Sequence, residues 1–210
     1  MPSYAAQERQ ALVDAALAAG PDAPTLCEGW TVKDLAAHLV ARERRPDSGP
    51  GLIVPFLAGW TEHVRAGQAS RPFTELVEDV RTGPPRLSMF ALPGVDAAAN
   101  LAEHFVHAED VRRAQEGWRP RELDAGFDAA LWKLITSRAG MFFRRSPVGV
   151  VIEAPGGRRH VVKNASPTVT LTGAPGELVL YAFGRTDHAV IEISGDADAV
   201  ARFRKLRLAA

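Results

Sequence analysis

The pattern of apolar residues changes once along this chain, near Arg145-Ser146-Pro147. Before this point, apolar residues recur at helical spacing in segments that glycine and proline separate. After it, short runs of β-branched residues alternate with turn residues, which is typical of strands. The pattern predicts an α+β protein with a four-helix bundle over residues 1–146 and a small α/β domain over residues 147–210.

The individual elements follow from the same periodicity and from the breakers between them. The start of the second helix is marked best, because Thr31 is a good N-cap and Asp34 stands three residues later, as in a capping box. Helices are predicted over residues 4–19, 32–44, 52–66, 73–81, 96–115, 123–144, 177–183 and 198–206. Strands are predicted over residues 148–153, 160–163, 169–172 and 189–193.

Charge and cysteine content exclude several classes of partner. The 25 basic and 25 acidic side chains balance, so no overall field favours nucleic acid or an anionic membrane. No apolar run approaches the roughly 20 residues of a membrane span, and the polar N-terminus lacks a signal pattern. The single cysteine, Cys27, is interpreted as a small buried thiol in a reducing compartment. These features predict a cytoplasmic protein, without indicating an oligomeric state.

Side chains that bind metals are concentrated in one stretch of the fifth helix. Glu103 and His107 are four residues apart, so they lie above one another on one face, and Asp110 shares that face. This spacing differs from that of the zinc-protease helix, in which two histidines are four residues apart. A helical ion pair accounts for a Glu–His pair at this spacing as well as a metal does.

His38 supplies a third possible ligand. It lies in the middle of the well-capped second helix, where an antiparallel bundle can bring two helix midpoints face to face. Two histidines and one carboxylate with a vacant position are typical of a catalytic zinc site. His63, His160 and His188 are interpreted as structural or solvent-exposed.

Three runs resemble a known family. GWTVKDLAAH (29–38) and EHFVHAEDVRRA (103–114) resemble two signatures of the DinB-like, mycothiol-dependent maleylpyruvate isomerase family of actinobacteria. LVLYAFGR (178–185), followed by residues 191–196, resembles the small α/β domain that follows the bundle in that family. The resemblance covers most of the chain and implies a DinB-like bundle.

The resemblance implies zinc, or another divalent metal, held by His38, Glu103 and His107. It also implies mycothiol as the thiol cosubstrate and an arginine acting near the metal, for which Arg185 is the candidate. The implied function is thiol transfer or cis–trans isomerisation of a small electrophile. Two alternatives stay open: a non-catalytic metal binder that serves as a sensor, store or stress-response protein, and a bundle whose polar residues are only hydrogen-bonded. The substrate is left open, because the region between His38 and Glu103 is short for the family.

Overall fold

A computed structural model of the chain describes residues 3–45, 58–85 and 96–208. The chain forms two compact units, Met1–Arg119 and Pro120–Ala210. In the described part of the first unit the elements are all helices, which confirms the helical N-terminal part of the predicted α+β fold. They are α1 (Tyr4–Ala19), α2 (Val32–Arg44), α3 (Ala58–Ala69), α4 (Phe73–Thr82) and α5 (Asp96–Arg113).

The core of the first unit lies between these helices. α1 packs along α5, and α2 packs against α3 and α4. The buried side chains follow helical spacing on each element, as on α2, where Leu35 and Leu39 are four residues apart and both 1% exposed. The predicted capping box is present, since Thr31 and Asp34 exchange hydrogen bonds at the start of α2.

The third helix differs from its prediction. Residues 52–57 of the predicted segment lie outside the described residues, and the helix continues beyond residue 66 to Ala69. Gly67 weakens a helix by only about 1 kcal/mol, which neighbouring turns can offset. Pro72 is the stronger breaker, and it stands directly before α4.

The second unit contains the sheet. Its elements are α6 (Ala125–Phe142), β1 (Gly149–Ala154), β2 (Arg158–Lys163), β3 (Thr168–Thr172), α7 (Pro175–Ala182), β4 (Glu192–Gly195) and α8 (Ala197–Arg204). The strand order is β2-β1-β3-β4, with β1 and β3 parallel and the other two pairs antiparallel. A small sheet following helices confirms the predicted fold class.

Two elements of this unit begin later in the chain than predicted, each for a physical reason. The last strand was predicted over residues 189–193 but begins at Glu192. The backbone N–H of Val190 donates to Oε2 of Glu177 at 2.7 Å, so it is not available for a strand ladder. The long helix starts at Ala125 rather than at residue 123, because the Asp124 side chain accepts from the backbone N–H groups of Gly126 and Phe127 as an N-cap.

The compact units divide after Arg119, because α6 packs against α7 and β2 rather than with the other long helices. The domain boundary near residue 146 was inferred from the change of sequence pattern, and it stays a prediction. Among the described residues, none of the helices has the length and apolar character needed to cross a bilayer.

Candidate metal centre

Helix α2 carries His38 on a face that borders the core. The capping box sets where the helix begins, and His38 then lies between Leu35 and Leu39 along the chain. Its side chain remains 19% exposed, and its ring lies 5.1 Å from the ring of Trp30, centroid to centroid. The imidazole is therefore held against the bundle without being sealed in it.

Helix α5 brings the other two side chains to the same place. Oε1 of Glu103 lies 3.4 Å from Nε2 of His107, one turn along the helix, and 3.4 Å from Nε2 of His38 on α2. One ligand atom from each of the three side chains lies within 4.8 Å of the others. The structure thus brings together the three residues singled out from sequence, while metal binding by them stays a prediction.

The charges at this cluster are strongly coupled. Burial would raise the pKa of Glu103, but hydrogen bonds from His107 and His38 and the charge of Arg42 outweigh it and hold that pKa well below its usual range. Burial would lower the pKa of His107, but hydrogen bonds to Asp110, Cys27 and Glu103 raise it well above its usual value. Protonated His107 can donate from Nδ1 to Asp110 and from Nε2 to Glu103. A metal ion bound at Nε2 would replace the proton on that nitrogen.

Asp110 supports the ring of His107 from the other side. Its side chain is fully buried, and its Oδ2 lies 2.9 Å from Nδ1 of His107. An ionised carboxylate can only accept, so Nδ1 is the donor. In the neutral ring that binds a metal, the lone pair of Nε2 is then directed to the opposite side. Metal-binding histidines usually have such an acceptor behind them, because it orients the ring and makes it more basic.

Cys27 was interpreted as a small buried thiol, and the structure corrects that interpretation. It is only half-buried, and Sγ lies 3.3 Å from Oδ2 of Asp110 and 4.0 Å from Nδ1 of His107. Sequence reasoning missed this neighbourhood because about 80 residues separate Cys27 from its partners.

Cys27, His107 and Asp110 form a second group with the spacing of metal ligands. This group uses Nδ1 of His107, whereas the first group uses Nε2. The first group better fits a resident divalent ion, because two imidazoles and a carboxylate suit zinc and several other metals, and Asp110 already has a role in orienting His107.

Arg42 lies one turn after His38 on α2, and Asn100 lies one turn before Glu103 on α5. Nε of Arg42 lies 3.5 Å from Oε1 of Glu103, and Nη1 donates to Oδ1 of Asn100 at 3.0 Å. Neither residue was named as a candidate site residue from the sequence, where Arg42 belongs to a cluster of arginines at a helix end. Arg42 reaches Glu103 through a side-chain contact between α2 and α5, which lie far apart in the sequence.

His104 lies outside the cluster although it neighbours Glu103 in sequence. Its ring is 1% exposed, with Nδ1 3.1 Å from the carbonyl oxygen of Ala5 and Nε2 3.4 Å from Glu43. The remaining histidines also lie outside the cluster: His63 is exposed, and His160 and His188 are half-buried.

Arg185 belongs to the second compact unit. It follows α7 and Gly184, is half-buried, and donates from Nη1 to the carbonyl oxygen of Phe183 at 2.6 Å. Its action near the metal stays a prediction.

Comparisons with known proteins agree on one family. A family model described as mycothiol maleylpyruvate isomerase N-terminal domain matches residues 4–112. The crystal structure of a mycothiol-dependent maleylpyruvate isomerase resembles this chain with a TM-score of 0.57 at 16% identity, and that of a histidine-to-alanine mutant with 0.55 at 16%. Each match covers 92% of this chain and 96% of the other, and at this identity it establishes a shared fold. No curated protein matches.

Proposed function

The chain belongs to the mycothiol maleylpyruvate isomerase N-terminal domain family, and from this premise we propose that it is a zinc-dependent enzyme that uses mycothiol on a small electrophilic substrate. The observation that carries the proposal is the convergence of Nε2 of His38, Oε1 of Glu103 and Nε2 of His107 within 4.8 Å. Three protein ligands leave a tetrahedral metal one position for an exogenous ligand.

The three side chains would hold the ion, with Asp110 fixing the orientation of His107. A bound divalent ion would lower the pKa of a thiol and so supply a sulfur nucleophile at neutral pH. Partial exposure of His38 and Glu103, at 19% and 22% of their side chains, supports access for small molecules from solvent.

The thiol would add across a conjugated double bond, with its sulfur going to one carbon and a proton, equivalent to the one lost from the thiol, going to the neighbouring carbon. Rotation about the new single bond, followed by loss of the same proton and thiol, restores the double bond in the other geometry. Departure of a different group instead would leave the thiol attached, which is thiol transfer. Arg185 would be the residue that pairs in bidentate fashion with a carboxylate of the substrate.

Metal analysis of the purified protein tests the centre. His107→Ala should abolish stoichiometric zinc, whereas His63→Ala removes an exposed histidine outside the cluster and should leave zinc content unchanged. Full metal occupancy in His107→Ala would contradict the proposed ligand set and leave the cluster as a hydrogen-bonded network.

Thiol binding separates an enzyme from a passive metal binder. In cobalt-substituted protein, added mycothiol should produce a sulfur-to-metal charge-transfer band and raise the melting temperature. Metal binding without any response to mycothiol would favour the non-catalytic alternative. With maleylpyruvate as the first substrate to try, Arg185→Ala should lower turnover at full metal content, while Arg159→Ala, on an exposed part of the same unit, should not.

A further inference from the structure

The side-chain amide of Asn100 is buried, and only its oxygen has a hydrogen-bond partner among the described residues. The residue is 1% exposed, and its Oδ1 accepts from Nη1 of Arg42 at 3.0 Å. Its Nδ2 has no hydrogen-bond partner among the described residues. Since buried polar groups are nearly always hydrogen-bonded, a donor left open here marks a place for an acceptor.

This open donor lies close to the candidate metal ligands. Arg42 follows His38 by one turn of α2, and Asn100 precedes Glu103 by one turn of α5, so each shares a helix face with a ligand. Arg42 also contacts Glu103 directly, at 3.5 Å from Nε to Oε1. The guanidinium of Arg42 and the amide of Asn100 therefore lie on the same side of the candidate metal centre.

The charge at this place favours an anion. A divalent ion held by one carboxylate and two neutral imidazoles retains about one positive charge, and Arg42 adds a second. The guanidinium is mostly shielded from water, at 12% side-chain exposure, so its attraction for an anion is weakly screened. A carboxylate has two oxygens that can accept from a guanidinium and from an amide N–H together.

We propose that Arg42 and Asn100 form a carboxylate-binding subsite beside the His38, Glu103 and His107 centre. The subsite holds a carboxylate of the reacting molecules, carried by the electrophile or by the thiol, next to the vacant metal position. This inference deepens the proposed function and rests on it. The competing interpretation is that Arg42 serves only to orient Glu103.

Calorimetry on zinc-loaded protein tests the subsite with simple probes. Maleate carries carboxylates and no thiol, and its Kd is measured with the metal first saturated by 2-mercaptoethanol. The Kd values of mercaptoacetate and 2-mercaptoethanol are also compared, because the first thiol carries a carboxylate and the second does not. The variants are Arg42→Gln and Asn100→Asp, and the matched control is Arg44→Gln, which removes a charge from α2 where Arg44 pairs with Asp79 at 3.1 Å.

Arg42→Gln should raise the Kd of maleate about tenfold or more, the range typical of a lost charged hydrogen bond. Asn100→Asp places a carboxylate against Arg42 and should abolish maleate binding. Both variants should retain zinc and their affinity for 2-mercaptoethanol, and Arg44→Gln should match the wild type. If the thiol carries the carboxylate, the preference for mercaptoacetate is lost as well. If only maleate binding falls, the electrophile carries the carboxylate.

Three results would overturn the subsite. The first is that the wild type does not bind maleate, and the second is that both zinc-containing variants bind maleate as the wild type does. The third is that Arg42→Gln loses zinc, which would show that Arg42 serves to orient Glu103. Failure of the proposed function has a different signature, because the zinc-loaded wild type would then not bind 2-mercaptoethanol or mycothiol.

Discussion

Glu43 offers the sharpest test of how the first unit is held together. Its side chain is 1% exposed and receives two hydrogen bonds from the guanidinium of Arg9 on α1, at 2.7 and 2.9 Å. Its Oε1 also lies 3.4 Å from Nε2 of His104 on α5. This carboxylate on α2 therefore joins the three helices that carry or brace the candidate metal ligands.

Glu43→Gln keeps the shape of the side chain and removes the charge. Removing one partner of a buried ion pair costs about 3–5 kcal/mol, because the other charge stays buried without compensation. Arg9 retains its hydrogen bond to the carbonyl oxygen of Val80 at 2.7 Å and is 14% exposed, which favours the lower end of this range. We expect a loss of about 3 kcal/mol in the free energy of unfolding, or roughly 1.5 M in the urea midpoint for m of about 2 kcal/mol/M.

Urea unfolding followed by circular dichroism measures this loss. Glu75→Gln is the matched control, since Glu75 is 57% exposed and pairs with Arg71 at the surface of the same unit. Surface pairs of this kind contribute about 0–1 kcal/mol. A loss in Glu43→Gln no larger than in the control would refute the reasoning, because a buried and an exposed carboxylate would then contribute alike.

The pH dependence supplies an independent check. Burial would raise the pKa of Glu43, but hydrogen bonds from His104 and Arg9 and the charge of Arg9 outweigh it, so folding lowers that pKa below its usual value of 4.5. A carboxylate with a lowered pKa contributes stability above its unfolded pKa and loses it as pH falls through the folded pKa. The difference between wild type and Glu43→Gln should be full at pH 7 and shrink below about pH 4.5. A difference that stays constant down to pH 3 would contradict this account.

Three further predictions concern the candidate metal centre and the sheet. Asp110→Asn should weaken zinc binding about 10–100-fold in a competitive chelator titration, because His107 loses its charged acceptor, and unchanged affinity would remove that role. Cys27→Ser should keep full zinc stoichiometry by elemental analysis, since the thiol lies outside the preferred ligand set, and loss of zinc would instead favour the second set. Gly149→Ala should destabilise the second unit by about 1–3 kcal/mol in thermal unfolding while sparing zinc, because a Cβ there would collide with the carbonyl oxygen of Ala165. An unchanged melting curve would contradict that collision.

Local chemistry explains how much could be predicted from sequence. The capping box at Thr31 and Asp34, the helical spacing of Leu35 and Leu39, and the i, i+4 pair on α5 all involve residues within a few positions of one another. Interactions at such short separation hold in almost any fold, so the start of α2 and the residues that share a helix face were predicted well. His38 was proposed as a third ligand from its place in the middle of the capped second helix, and the resemblance of two runs to a family supported that proposal.

Rules that use only neighbouring residues do not identify the distant partners of an element. The strand predicted over residues 189–193 begins later because Val190 donates to Glu177, thirteen positions earlier in the chain. The helix α6 has the pattern of another bundle helix, yet it packs against α7 and β2 of the second unit. Periodicity indicates which face of an element is buried, but not which partner covers it.

What the sequence determined by itself is the class of the fold, the elements, and a Glu–His pair that is equally compatible with a metal and with an ion pair. What only the tertiary structure decided is which distant side chains surround that pair. His38, which the sequence had proposed, Arg42 and Cys27 contact residues 100–110 from 58 to 83 positions away. Side-chain contacts of α2, and of the segment before it, with α5 bring these residues together. The physical reason is that hydrogen bonds and metal ligation act over a few ångströms, whereas sequence spacing specifies position only within one helix or strand.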